Sequence, residues 1–151
     1  MRMKPVAGAL VFLSLFLALQ LFTHSIHAQF SQDEIELTAY IIMPEMLLYK
    51  IMKGEDDYVL VDVQPEEEYR ASHVTDALSL PWDDGTFMER RDELPRNKTV
   101  MLISSDGSTA LKALRVLLQD EYDEQHEPFR EMFSIEGGMD NWPYRDYLVA
   151  D

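Results

Sequence analysis

Two short apolar segments constrain the fold of this chain more than any other feature. Tyr58–Val63 reads YVLVDV and Thr99–Ile103 reads TVMLI, so both are rich in β-branched residues and lack the regular alternation of a half-exposed strand. Continuous runs of this kind are typical of strands that are covered on both faces in a parallel sheet. A helical pattern follows each of them, which predicts an α/β fold with a parallel sheet and helices on both faces.

Further strands and helices alternate along the rest of the chain. Additional strands are predicted at Tyr40–Ile42, Ala77–Leu80 and Met132–Ile135, which gives about five in all. Helices are predicted from Pro44 to Lys53, at Glu66–Ala71, within residues 82–92, after Thr109 and around Trp142. The inner face of the first helix is predicted to comprise Met46, Leu47, Ile51 and Met52. The inner face of the helix after Thr109 is predicted to comprise Ala110, Ala113, Leu114, Leu117 and Leu118.

Composition excludes several classes of function. The chain has 151 residues and a formal net charge of −15, which argues against binding nucleic acid through a basic face. It contains no cysteine, so a disulfide, a thiolate metal site and a cysteine nucleophile are all excluded. We expect neither a metal nor a cofactor.

The first 28 residues have the layout of a secretory signal peptide. Arg2 and Lys4 precede an apolar run from Val6 to Leu19, and a short polar stretch ends in Ala28. Cleavage after Ala28 would export the remainder to the periplasm or the medium, whereas an uncleaved segment would anchor the chain in a membrane. Residues 29–39 are predicted to be a flexible lead-in, and residues 40–151 the folded domain.

Three blocks of the chain resemble the rhodanese-like domains. They are Val59–Pro81, the strand and loop Val100–Ser108, and Ile135–Pro143, and they follow one another in the order and at the separations found in that family. The resemblance implies an α/β fold with a parallel sheet of about five strands. It also implies structural roles for Asp62, Glu68, Tyr69, His73, Glu136, Gly137, Gly138 and Trp142.

The loop that carries sulfur in this family is altered here. Active rhodaneses have the pattern Cys-x-x-Gly-x-Arg-Ser, in which the cysteine thiolate holds a persulfide. Ser104 stands at the cysteine position and Thr109 at the arginine position, while Gln64 replaces an arginine elsewhere. The resemblance therefore implies a degenerate loop without a catalytic residue, made of Ser104, Ser105, Asp106, Gly107, Ser108 and Thr109.

Several alternatives remain open at the level of sequence. Asp106 either caps the following helix in place of an anion or points outward as a solvated acid. Ser104 and Ser105 either cap the helix or fill turn hydrogen bonds, or else they act, with His73 or His126, as hydrolytic nucleophiles. The function is either that of a non-catalytic module that binds an unidentified protein or small molecule, or that of a periplasmic enzyme or accessory protein of sulfur metabolism that handles a sulfur-containing ligand non-covalently.

Overall fold

A parallel sheet organises the part of the chain that the computed structural model describes, residues 37–120 and 127–151. The predicted signal peptide, most of the predicted lead-in and His126 lie outside the described residues. Tyr40–Asp151 pack as one compact unit. Within the described ranges, no helix has the length and apolar character needed to cross a membrane.

The main sheet has five parallel strands, which are β1 (Ile41–Ile42), β2 (Tyr58–Asp62), β4 (Leu78–Ser79), β5 (Thr99–Ile103) and β6 (Glu131–Ile135). Across the sheet they lie in the order β1-β6-β5-β2-β4. All five lie at predicted positions, with ends that differ by at most one residue. Every residue of the central strand β5 is buried, as expected of a strand that is covered on both faces. The predicted fold class is confirmed.

The helices follow from local sequence signals. Helix α1 (Pro44–Lys53) has proline in its first turn, and Gly54 ends it with a φ of 63° and an N–H that donates to the Ile51 carbonyl. The shorter helices are α2 (Glu66–Ala71) and α3 (Thr86–Arg90). Helix α4 (Ser108–Asp120) buries Ala110, Ala113, Leu114 and Leu117, while Leu118 is half-buried.

The predicted inner face of α1 is wrong at two positions. Leu47 is buried and Ile51 is partly buried, as predicted, but the side chains of Met46 and Met52 are 55% and 67% exposed. The helix instead turns Pro44 toward the core. Apolar residues lie on more than one side of this helix, and the sequence alone does not show which of them face the core.

A small antiparallel ribbon was not predicted. Strand β3 (His73–Val74) pairs with β7 (Leu148–Val149), and two residues on each side are too few to give a strand pattern. The predicted helical piece around Trp142 is replaced by two 3₁₀-helices that flank this residue, Gly138–Asn141 and Arg145–Tyr147.

Candidate functional site

Strand register brings the predicted loop and its neighbours to one edge of the sheet. Asp62, the last residue of β2, lies opposite Ile103 on one side and Ser79 on the other. Ser104 therefore begins the loop after β5 beside the end of β2. The carboxyl edge of a parallel sheet is where α/β proteins place their ligand sites.

Ser104 acts as a helix cap. Its side chain is buried, and its Oγ accepts a hydrogen bond from the Ala110 N–H at 3.1 Å. The Ser104 carbonyl accepts a second bond from the Met139 N–H at 2.9 Å. Within residues 37–120 and 127–151, no hydrogen bond joins Ser104 or Ser105 to a histidine. This geometry favours the capping interpretation of Ser104.

Asp106 accepts a hydrogen bond from a second backbone N–H at the start of helix α4. Its Oδ1 accepts a hydrogen bond from the Ser108 N–H at 2.9 Å. Hydrogen bonds from the side chain and the backbone of Ser108 lower the pKa of the Asp106 carboxyl. Of the two alternatives for this residue, capping is therefore the one that the geometry supports. Thr109, at the position of the family's arginine, is half-buried in the first turn.

Two glycines hold the loop against the segment that follows β6. Gly107 has a φ of 84°, and a Cβ on it would lie 3.2 Å from the Gly137 nitrogen. Gly138 has a φ of 58°, and a Cβ there would lie 2.0 Å from the Ser104 carbonyl oxygen. The Ser105 carbonyl also accepts a hydrogen bond from the Asp140 N–H at 2.8 Å. The approach of two backbones therefore requires glycine at position 138.

Asp62 is a buried carboxyl group without an ion-pair partner among the described residues. Its two oxygens accept hydrogen bonds from the Gln64 N–H and from Gln64 Nε2, both at 2.9 Å. Burial raises the pKa of Asp62 to about 6, although both Gln64 hydrogen bonds act in the opposite direction. Asp62 thus ties the end of β2 to the loop that follows it.

Tyr69, His73 and Trp142 all make local packing contacts. The Tyr69 hydroxyl donates to the Ala77 carbonyl at 2.7 Å. The His73 ring stacks on the Tyr69 ring with centroids 3.8 Å apart, and His73 Nδ1 lies 2.8 Å from the Tyr69 carbonyl. Because that carbonyl can only accept, Nδ1 carries the proton. Trp142 Nε1 donates to the Tyr144 carbonyl at 2.9 Å. None of these three side chains is hydrogen-bonded to the loop.

One hollow borders the loop, and a second is lined by Glu68, to which the loop is hydrogen-bonded. The first, of about 240 Å³, is lined by loop and helix-start residues together with Glu136 and Gly137. The second, of about 320 Å³, lies beside Glu68, whose Oε2 accepts a hydrogen bond from the Ser105 hydroxyl. Its wall consists of Gln64, Glu68, Ala71, Ser72, Met139, Asp140, Trp142, Arg145 and Leu148.

Sequence reasoning missed Arg145 and Asp140 as members of this site. Asp140 lies at a variable position of the last motif block, and Arg145 follows that block. Only the path of the chain around Trp142 brings both residues to the second hollow. No signal in the sequence would have found them. In the part of the chain that the structure describes, no three histidine, aspartate or glutamate side chains converge so that they could hold a metal ion.

Comparison with known proteins agrees with this geometry. The family model described as a rhodanese-like domain matches residues 46–143. Among solved structures, a rhodanese-like domain protein from Staphylococcus aureus superposes with a TM-score of 0.60 at 20% identity, over 74% of this chain and 97% of that one.

Two further structures show the same fold. A rhodanese-related protein from Thermoplasma volcanium gives a TM-score of 0.57 at 21% identity, covering 73% of this chain and 97% of its own. The rhodanese-like domain of an Anabaena protein gives 0.60 at 15% identity, covering 74% and 80%. At these identities the likeness establishes the fold alone. Because the family model covers more than half of the sequence, the chain belongs to the rhodanese-like domain family.

Proposed function

We propose that this protein is an exported, non-catalytic rhodanese-like domain that binds a ligand at the carboxyl edge of its sheet. The observation that carries the proposal is that side chains of the loop itself occupy donors at the start of α4. Ser104 Oγ accepts from Ala110 N–H, and Asp106 Oδ1 accepts from Ser108 N–H. These donors are among those that a persulfide or an oxyanion would otherwise use.

Charge supports the same conclusion. The Asp106 carboxylate lies at the mouth of the loop, and Thr109 supplies no positive charge. A serine hydroxyl is far less acidic than a thiol, and the chain has no cysteine to carry a persulfide. The loop is thus unsuited both to covalent sulfur and to a small anion such as thiosulfate.

Intact-protein mass spectrometry after thiosulfate treatment tests the loss of sulfur chemistry. We expect no mass gain and no transfer of sulfur to cyanide. A stable gain of about 32 Da, corresponding to one sulfur atom, would overturn the proposal.

The proposed export rests on the layout of residues 1–28. Fractionation of expressing bacterial cells, combined with sequencing of the N-terminus, tests it separately. We expect the exported fraction to contain a chain that begins at Gln29. Recovery of the uncut chain in the cytosol alone would contradict export and leave the loop argument intact.

A further inference from the structure

The second hollow, beside Glu68, carries charges of both signs. Arg145 lines it together with the acidic residues Glu68 and Asp140. Within the described ranges Arg145 forms no ion pair and donates no hydrogen bond, so its guanidinium remains free for a ligand. A free arginine next to two acids is notable in a chain whose net charge is −15.

Gln64 is a second and independent indication of a ligand site. Its side chain is only 4% exposed, and its Nε2 donates to Asp62. Its Oε1 accepts no hydrogen bond from any described residue. Every fully buried side-chain oxygen or nitrogen in that part of the chain has a partner, so Oε1 is not fully enclosed. Gln64 lines the hollow, and we infer that this acceptor faces it.

Apart from Ser72, the remaining wall of the hollow is apolar. Trp142 is 5% exposed, and Met139, Leu148 and Ala71 complete this side. With a volume of about 320 Å³, the hollow has the size and mixed lining of a small-molecule site. Its occupant therefore has an apolar body.

The charged residues around the hollow indicate which class of small molecule it binds. A simple anion would be repelled by Glu68 and Asp140, and a simple cation would be repelled by Arg145. We propose that the hollow binds a small zwitterion of the amino-acid type, with a carboxylate, an ammonium group and an apolar side chain. This inference rests on the proposed binding role and names its ligand class.

Each polar group of such a ligand has a counterpart in the wall. Arg145 can hold the carboxylate through paired N–H donors, which is the strongest geometry for this contact. Glu68 and the Gln64 Oε1 supply acceptors for the ammonium group. Trp142 and Leu148 pack against the side chain. The hydrogen bond between Ser105 and Glu68 would then connect the bound molecule to the degenerate loop.

Isothermal titration of the purified protein with L-leucine tests the proposal. We expect saturable, sub-millimolar binding. N-acetyl-L-leucine, which lacks the ammonium group, and L-leucinamide, which lacks the carboxylate, should each bind about tenfold more weakly or worse. The absence of saturation, or equal affinity for leucine and either analogue, would overturn the proposal. Equal binding of the doubly blocked N-acetyl-L-leucinamide would indicate a protein segment as the occupant instead, and would also overturn it.

Two variants with matched controls locate the contacts. Arg145→Gln should weaken leucine about tenfold and leave leucinamide unchanged, whereas Arg115→Gln, on the exposed face of α4, should change neither. Glu68→Gln should weaken leucine and leave N-acetyl-L-leucine unchanged, with the neighbouring Glu67→Gln as its control. An equal effect of a variant and its control would overturn the assigned contacts.

The two proposals fail in different assays. Sulfur uptake from thiosulfate would refute the non-catalytic role without bearing on leucine titration. The absence of leucine binding in a protein that takes up no sulfur would refute only the ligand class.

Discussion

Replacing Asp62 by asparagine should make the protein more stable near neutral pH. Burial raises the pKa of this carboxyl from 3.8 to about 6, so the folded state binds its proton more tightly than the unfolded state does. Its contribution to stability is fully present only well below pH 3.8, and it is lost progressively as the pH rises from there to above 6. A shift of about two units at about 1.4 kcal/mol per unit places that loss at about 3 kcal/mol.

Asparagine removes the ionisation and keeps the shape. Its Oδ1 can accept from the Gln64 N–H, and its Nδ2 can donate to Gln64 Oε1 once that amide rotates by half a turn. The difference in free energy of unfolding between variant and parent at low pH reflects this rearrangement of hydrogen bonds. The change of that difference with pH measures the effect of ionising Asp62.

Urea unfolding of both proteins from pH 4 to pH 8 measures this change. The difference in free energy of unfolding should move by about 2 kcal/mol in favour of Asp62→Asn, since part of the transition lies below pH 4. Glu67→Gln, on the exposed face of α2, should run parallel to the parent. Parallel curves for Asp62→Asn would refute the argument, because they would mean that the buried group titrates as it does in the unfolded chain.

Three further predictions concern the loop. Ser104→Cys alone should restore little transfer of sulfur from thiosulfate to cyanide. Adding Asp106→Gly and Thr109→Arg should raise the rate, because the thiolate then lies in a less acidic and more positive site. Near-full activity of the single variant would contradict this. Asp106→Ala should lower the melting temperature by a few degrees and respond more strongly to sulfate than the parent at matched ionic strength, whereas equal responses would show that no anion site has opened. Gly138→Ala should lower the free energy of unfolding, measured in urea, by about 2 to 5 kcal/mol. Gly54 has a similar φ but open space around it, so Gly54→Ala should lower it by only about 1 to 2 kcal/mol. Equal losses in the two variants would refute the close backbone approach at Gly138.

The sheet could be predicted because its central strands combine two signals. Thr99–Ile103 is continuously apolar and is followed at once by a glycine-containing loop and a helical pattern, so both its position and its neighbours follow from the sequence. The β3–β7 ribbon joins two residues to two others that lie far away in the chain. A contact of that kind depends on the packed domain and leaves no local pattern.

The site was predictable in its loop and not in its second hollow. A motif fixes where Ser104 and Gly138 fall, and close packing explains why the structure joins them. Arg145 lies on a 3₁₀-helix of three residues, outside every motif block. Its place at the hollow depends on the turns at Trp142 and Tyr144, which the sequence alone does not specify.

The loop satisfies its own hydrogen-bonding groups, and the reason is local. Donors at the start of α4 require acceptors, and Ser104 and Asp106 provide them from within the loop. The loop carbonyls require donors, and the segment after Gly138 provides those. Since both requirements are met internally, no bound anion is needed to order the loop. Ser105 can then stay hydrogen-bonded to Glu68, which lines the second hollow, where we propose that a ligand binds.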